Sequence, residues 1–222
     1  MDYKQVMDEL ETMGTAQNRK IYARHGASKN MFGVSHGNLN KLKKQIRIDH
    51  DLAQKLWASG NHDTRILAMK IADPQEANGN LLDSWVQDLG DYMVTDALSE
   101  YVSKTGFMRE KMELWVDSDE EWIATAGWNL LGYLAMKDEK LLDEFFEPYL
   151  DIIAHHIHDR KNRVRYAMNN ALIAIGTRNE TLEALALEVA AQIGEVVVDH
   201  GETSCQTPDA VAYIQKTRAR TG

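Results

Sequence analysis

A chain of 222 residues with 44% hydrophobic and 27% charged residues is long enough for one large domain or an elongated repeat array, with the balance of a soluble globular protein. It holds no apolar run of the roughly 18 residues that cross a bilayer, and the single Cys205 excludes an internal disulfide and fits a reducing compartment. The net charge of −9 weighs against a nucleic-acid binder, whose affinity comes largely from cations meeting phosphates, unless the basic residues are gathered into a local stripe.

The N-terminal MDYKQVMDELE lacks the apolar core of a signal peptide, so a cytoplasmic location is expected. Residues 2–13 set acids against Val6, Met7, Leu10 and Met13, an amphipathic helix closed by Gly14. A second helix covers about 16–24. The loop around Gly33 and Gly37 then leads through Ser35, an N-cap, into a helix with Leu39, Leu42 and Ile46 on one side. Lys41, Lys43, Lys44 and Arg47 make that helix basic; a solvated cationic face and a phosphate-binding face are both open readings.

Helices follow at about 49–59, 62–72, 78–89, 91–104, 106–116, 119–136, 138–157, 160–176 and 180–193, and one more at 207–219 past a polar loop. The only strand-like run, Val196 to Val198, is too short to imply a sheet. The fold expected is all-α. Three segments echo one another: Asp63–Ala68, Glu121–Ala126 and Asn162–Ala167 each open a helix with a polar residue and reach a small Ala. Their spacing is irregular, but about 40 residues per helix pair is the HEAT or armadillo period. This predicts one domain, 1–222, built as an α-solenoid superhelix of degenerate HEAT-like helical repeats.

RKNRVRYAMNNALIAIG, from Arg160 to Gly176, places four cations at a helix start, the end where the helix dipole disfavours them. The Ala residues that follow admit a close helix neighbour. Arg163 and Arg165 lie two apart and cannot both face the core; phosphate contact or a solvated start beside Asp159 would use them. Asn169 and Asn170 are polar in mid-helix, suited to bonding a neighbouring repeat or lining a groove. Trp57, Trp85 and Trp115 read as inter-helix packing, as does Trp122, while Trp128 is expected on the inner side. Of His155, His156 and His158, only the first and last share a helix face, and no metal site is expected. Cys205 near Asp199 and His200 lacks the setting of an activated nucleophile; Thr207-Pro208-Asp209 reads as a helix start.

Taken in order, FGVSHGNLNKLKKQI, WVDSDEEWIATAGWNLLGYL (115–134), RVRYAMNNALIAIG and VDHGETSCQTPDAVAYI resemble the AlkD-type DNA alkylation repair glycosylases, a family of HEAT-like repeats, along nearly the whole chain. The resemblance implies hydrolysis of the N-glycosidic bond of cationic N3- or N7-alkylpurines in double-stranded DNA, with no cofactor and no metal. A carboxylate beside the sugar would stabilise the oxocarbenium-like transition state and position water, and aromatic faces would add cation–π stabilisation.

The family motif of an aromatic followed four residues later by an aspartate falls on Tyr92 and Asp96, implying catalytic roles, with tyrosine in place of the usual tryptophan. The family arginine on the central helix falls on Thr125 and a later tryptophan on Asn170. Lys41, Lys43, Lys44, Arg163, Arg165, Trp122, Thr125 and Asn170 are the candidate DNA-binding positions. The alternative is a non-catalytic HEAT-like scaffold that binds DNA or a protein partner. No membrane partner is expected.

Overall fold

The computed structural model describes residues 1–221, and among these it contains thirteen α-helices, two short 3-10 turns and no strand. No described helix is long and apolar enough to cross a membrane. The chain forms two compact units: Met1–Phe107 with Gly201–Thr203, and Met108–His200 with the segment from Ser204 onward.

Unit 1 holds α1 (Tyr3–Met13), α2 (Ala16–Arg24), α3 (His36–Ile46), α4 (His50–Ala58), α5 (His62–Ile71), α6 (Gly79–Gln87) and α7 (Tyr92–Val102). Side-chain oxygens cap the first turns: Asp2 for α1, Thr15 for α2, Ser35 for α3, Asp49 for α4, Asn61 for α5, Asn78 for α6 and Asp91 for α7. Each satisfies a backbone N–H that the helix leaves without a partner. α5 is the central element and packs on α3, α4 and α7. Trp57 and Trp85 stack at 5.2 Å, Trp85 meets Tyr101 at 5.8 Å, and all three rings are buried. For Trp57 and Trp85 this is the inter-helix packing expected of them.

The FGV loop before α3 is fixed from below. The Asp63 carboxylate, wholly buried, accepts the backbone N–H groups of Phe32 (2.7 Å), Gly33 (2.9 Å) and Val34 (2.9 Å). Gly33 adopts φ +80°, and a Cβ there would stand 2.7 Å from the Thr15 carbonyl oxygen. Tyr22 donates its hydroxyl to the Val34 carbonyl at 2.8 Å. Next to this network, His62 Nδ1 lies 2.9 Å from Asp91 Oδ2 with both side chains out of solvent, tying the start of α5 to the cap of α7.

Unit 2 holds α8 (Met108–Trp115), α9 (Glu121–Lys137), α10 (Glu147–His156), α11 (Asn162–Gly176), α12 (Glu180–Ile193) and α13 (Ala210–Thr221). α9 and α11 make its most extensive helix contact. Small residues permit it: a methyl added at Gly132 would lie 3.8 Å from Ala171 and Ala174, ordinary contact distance. α8 comes closer still to α9, and a Cβ on Gly127 would stand 2.4 Å from the Val116 nitrogen. The predicted helix 138–157 is corrected. A turn follows α9, then a 3-10 turn at Asp143–Phe145, and α10 begins only at Glu147. Pro148 lies in its first turn; lacking an N–H, proline is tolerated there and not in a helix interior. Arg178 closes the gap, donating to the carbonyls of Ala135 (3.0 Å), Asp138 (2.7 Å) and Leu141 (2.7 Å).

The three echoing segments open α5, α9 and α11, and their alanines, Ala68, Ala126 and Ala167, are all buried. The repeated sequence shape is the entry turn of a helix that carries the core of its unit.

Candidate nucleic-acid interface

In unit 1, α7 buries Val94, Thr95, Leu98, Ser99, Tyr101 and Val102. The hydroxyls of Thr95 and Ser99 donate to the carbonyls one turn back, Asp91 and Thr95, so these polar groups sit in the core without an unmet donor. The opposite side presents Tyr92, Asp96 and Glu100, four residues apart and so in one row. Asp96 and Glu100 are exposed and Tyr92 half-buried. The Tyr92 hydroxyl lies 2.7 Å from His25 Nδ1 of α2. Lys104, just past the helix end, donates to Glu100 Oε1 at 2.6 Å.

The exposed face of α3 carries Lys41, Lys43 and Lys44, exposed Arg47 follows as its C-cap at φ +67°, and Leu39 and Leu42 are buried. Lys41 donates to Asn38 Oδ1 at 3.3 Å. Lys43 and Lys44 fall in the last turn, where positive charge is favoured by the helix dipole. α3 packs on α5 and α5 on α7, so the lysine face and the Tyr92–Asp96–Glu100 row belong to one layer of helices.

In unit 2, the other candidate positions lie on the packed pair α9 and α11. Trp122 is half-buried, and Thr125 is 4% exposed, with its hydroxyl donating to the Glu121 carbonyl at 2.7 Å. Trp128, expected toward the inner side, is instead a core residue at 1% exposure, edge-on to Tyr149 at 6.2 Å.

The cations at the start of α11 have partners one helix away. Arg160 donates to the Ser118 carbonyl (3.3 Å) and Lys161 to the Asp119 carbonyl (2.7 Å), while the backbone N–H of Arg163 donates to Glu121 Oε1 (2.8 Å). Carbonyl and carboxylate oxygens of the α8–α9 turn offset the unfavourable dipole. The Arg163 guanidinium lies 4.8 Å from the Tyr166 ring, a cation–π contact. Arg165 and Asn170 are half-buried. Asn169, 1% exposed, donates its amide to the Pro208 carbonyl at 2.9 Å, fixing the segment before α13.

That segment and the extended residues after α12 bound a cleft of about 780 Å³, with Asn169, His200, Cys205 and Thr207 among its lining. His200 Nε2 lies 3.0 Å from Thr207 Oγ1, and its ring is edge-on to Tyr166 at 5.4 Å. Burial, then the charge of Arg163, push the His200 pKa down, and Asp199 opposes them. Cys205 is exposed. His155 Nδ1 lies 2.9 Å from the Asp151 carbonyl oxygen and His158 Nε2 2.8 Å from that of Ile193. Among the described residues no group of three or more His, Cys, Asp or Glu side chains is arranged to hold a metal ion.

The charged residues Glu100, Lys104 and Lys70 lie outside the positions singled out from the sequence. Glu100 and Lys104 extend the Tyr92–Asp96 spacing by further steps of four, a signal present in the sequence. Lys70 stands alone in a helix whose other side chains, apart from half-exposed Arg65, are buried, and only the packing of α5 between α3 and α7 gives it company.

The family model described as DNA alkylation repair enzyme matches residues 6–214. Uncharacterized protein Lmo0209 of Listeria monocytogenes is 28% identical over 99% of this chain and 98% of its own length. Uncharacterized protein Lin0241 of Listeria innocua is 28% identical over 98% of each. A solved structure described as "a new family of proteins related to the HEAT-like repeat DNA glycosylases with affinity for branched DNA structures" superposes with a TM-score of 0.90 at 30% identity, over 100% of this chain and 95% of that one. The all-α architecture is that of an α-solenoid of degenerate HEAT-like repeats.

Proposed function

The chain belongs to the DNA alkylation repair enzyme family, and from that premise we propose that residues 1–222 act as one repeat domain that binds DNA through the cationic face of α3, with branched DNA as a favoured form. The observation that carries this is the gathering of Lys41, Lys43 and Lys44 on the exposed face of α3, with exposed Arg47 at its C-cap, in a chain of net charge −9. Such a stripe recovers the local positive potential that the overall charge denies. The affinity for branched DNA described for the solved relative supports the choice of substrate form.

Binding to a four-way junction and to plain duplex, each followed over a salt series, tests the proposal. Tighter binding to the junction with a negative salt slope is expected. No binding to either at low salt would sink the reading and favour a scaffold for a protein partner.

A second reading, excision of cationic alkylpurines, is favoured by Asp96 standing exposed one turn from Tyr92. Its carboxylate would stabilise positive charge on the sugar and position water, and the leaving base, already cationic, would need little acid assistance. The buried Thr125, its hydroxyl turned back to its own helix, offers no grip on a DNA backbone at the position of the family arginine. For that reason excision ranks second. Release of methylated purines from alkylated DNA by the wild type, lost in Asp96→Asn, is the expected result for this reading; no release by the wild type removes it and leaves DNA binding intact.

A further inference from the structure

The strand-like run Val196 to Val198 belongs to no helix. From Glu195 to His200 exposure alternates residue by residue: Glu195 is exposed, Val196 is 6% exposed, Val197 is 64% exposed, Val198 is half-buried, Asp199 is exposed and His200 is half-buried. A period of two belongs to extended backbone, the conformation that β-branched valines favour. Among the described residues, the backbone N–H and C=O groups of Glu195, Val196, Val197 and Val198 make no hydrogen bond within the chain. Asp199, the next residue, shows what such a backbone accepts. Its N–H donates to Asn162 Oδ1 at 2.7 Å and its carbonyl accepts from Asn162 Nδ2 at 2.8 Å. That is the two-bond exchange of an antiparallel strand pair, with a side-chain amide in place of the second strand.

The same segment lines the cleft of about 780 Å³. The rest of its lining includes Gln206 to Asp209, fixed by the Asn169 amide on the Pro208 carbonyl and by the 3.0 Å contact of Thr207 with His200. Glu195 and Asp209 put two carboxylates in the lining, and no lysine or arginine is there among the described residues. Such a cleft repels a nucleic-acid backbone and draws a cation.

We propose that this cleft binds an extended cationic peptide segment of a partner protein, which pairs as an added strand with the backbone of Glu195 to Val198. Small apolar side chains on one face of the peptide meet Val196 and Val198, and lysines on its other face meet Glu195, because strand side chains alternate. A lysine stem would also cover exposed Val197. The site lies in unit 2 and stands apart from the DNA-binding reading of α3.

The test uses the full chain and two labelled hexapeptides with blocked termini, one alternating lysine with valine and the other glutamate with valine. The lysine–valine peptide should bind saturably and slow amide exchange at 195–198. N-methylation of its alternate amides removes ladder hydrogen bonds and should weaken binding about tenfold or more. Glu195→Gln combined with Asp209→Asn, which keeps a side chain able to cap α13, should weaken it about fivefold. Exposed Glu188 on α12 supplies the control, Glu188→Gln, which should leave binding unchanged. No binding of either peptide, equal binding of both, or equal binding of the N-methylated peptide overturns the peptide seat. The N-methylated peptide needs no protein variant, so it decides the matter even if the double variant does not fold. Protection of 195–198 that grows with protein concentration alone assigns the cleft to a second copy of this chain, and protection by duplex DNA alone assigns it to nucleic acid; either result also overturns the peptide seat.

Discussion

The backbone N–H of Gly33 donates to Asp63 Oδ2 at 2.9 Å, thirty residues away and out of solvent. With Phe32 and Val34 it makes Asp63 the acceptor for three consecutive amides. Asp63→Ala strands three donors at once, those of Gly33 and Val34 fully buried, and each unmet buried donor costs about 1–3 kcal/mol. A loss of about 3 kcal/mol or more is expected in denaturant melts. Asp63→Asn should lie between this variant and the wild type, since the amide keeps one oxygen and turns its own N–H groups toward backbone N–H donors that the lost oxygen served. A loss under about 1 kcal/mol in Asp63→Ala would contradict this account.

Two glycines of α9 predict opposite signs. A methyl at Gly127 would fall 2.4 Å from backbone at Val116, where nothing can rotate away, so Gly127→Ala should destabilise by about 2 kcal/mol or more. At Gly132 the nearest atoms stand at 3.8 Å, and Gly132→Ala should be neutral or stabilising by up to about 1 kcal/mol through helix propensity. Comparing the two midpoints of thermal unfolding checks both signs.

Arg178 gathers three carbonyl oxygens and lies 5.1 Å from the Phe146 ring. Arg178→Ala should cost about 2 kcal/mol. Lysine has a single ammonium and lacks the planar fork, so Arg178→Lys should recover less than half of that loss. Faster amide exchange over 138–146 in both variants would place the effect in that turn.

Burial pushes the Tyr101 phenol from its ordinary value near 10 up to about 12, with Asp73 and Glu76 adding to the rise. The folded state therefore holds this proton after the unfolded chain has released it. The contribution to stability is complete below about pH 10 and is lost as pH rises through about 12. Tyr101→Phe should flatten the fall of stability over that window, at the cost of the hydrogen bond to the Asp73 carbonyl. Phenolate absorbance across an alkaline titration, set beside denaturant melts, measures both.

What the sequence conveys here follows the range of the interactions. Helix existence, Ser35 as a cap and the shared entry turn of α5, α9 and α11 are local, written in adjacent residues. The break at 138–146 was also written, in Pro148, although apolar spacing alone suggests continuity. The partners of Arg160 and Lys161 lie forty-two residues away in both cases, so the charge at the start of α11 looks surplus in one dimension and is matched in three. Trp128 shows the same limit: helical spacing puts it on a face, and only partners distant in sequence, Tyr149 among them, make that face interior.

The stacked indoles have an optical consequence. Trp57 and Trp85 lie at 5.2 Å with planes 28° apart in unit 1, while Trp115, Trp122 and Trp128 belong to unit 2. Transition dipoles that close couple, so the circular dichroism of the native protein carries an exciton band from the Trp57–Trp85 pair of the first unit. Trp85→Phe would abolish that band and leave Trp57 as the single emitter there. The loss of the band on heating, timed against the emission shift of the other three rings, lets the two halves of the chain be watched melting separately without any label.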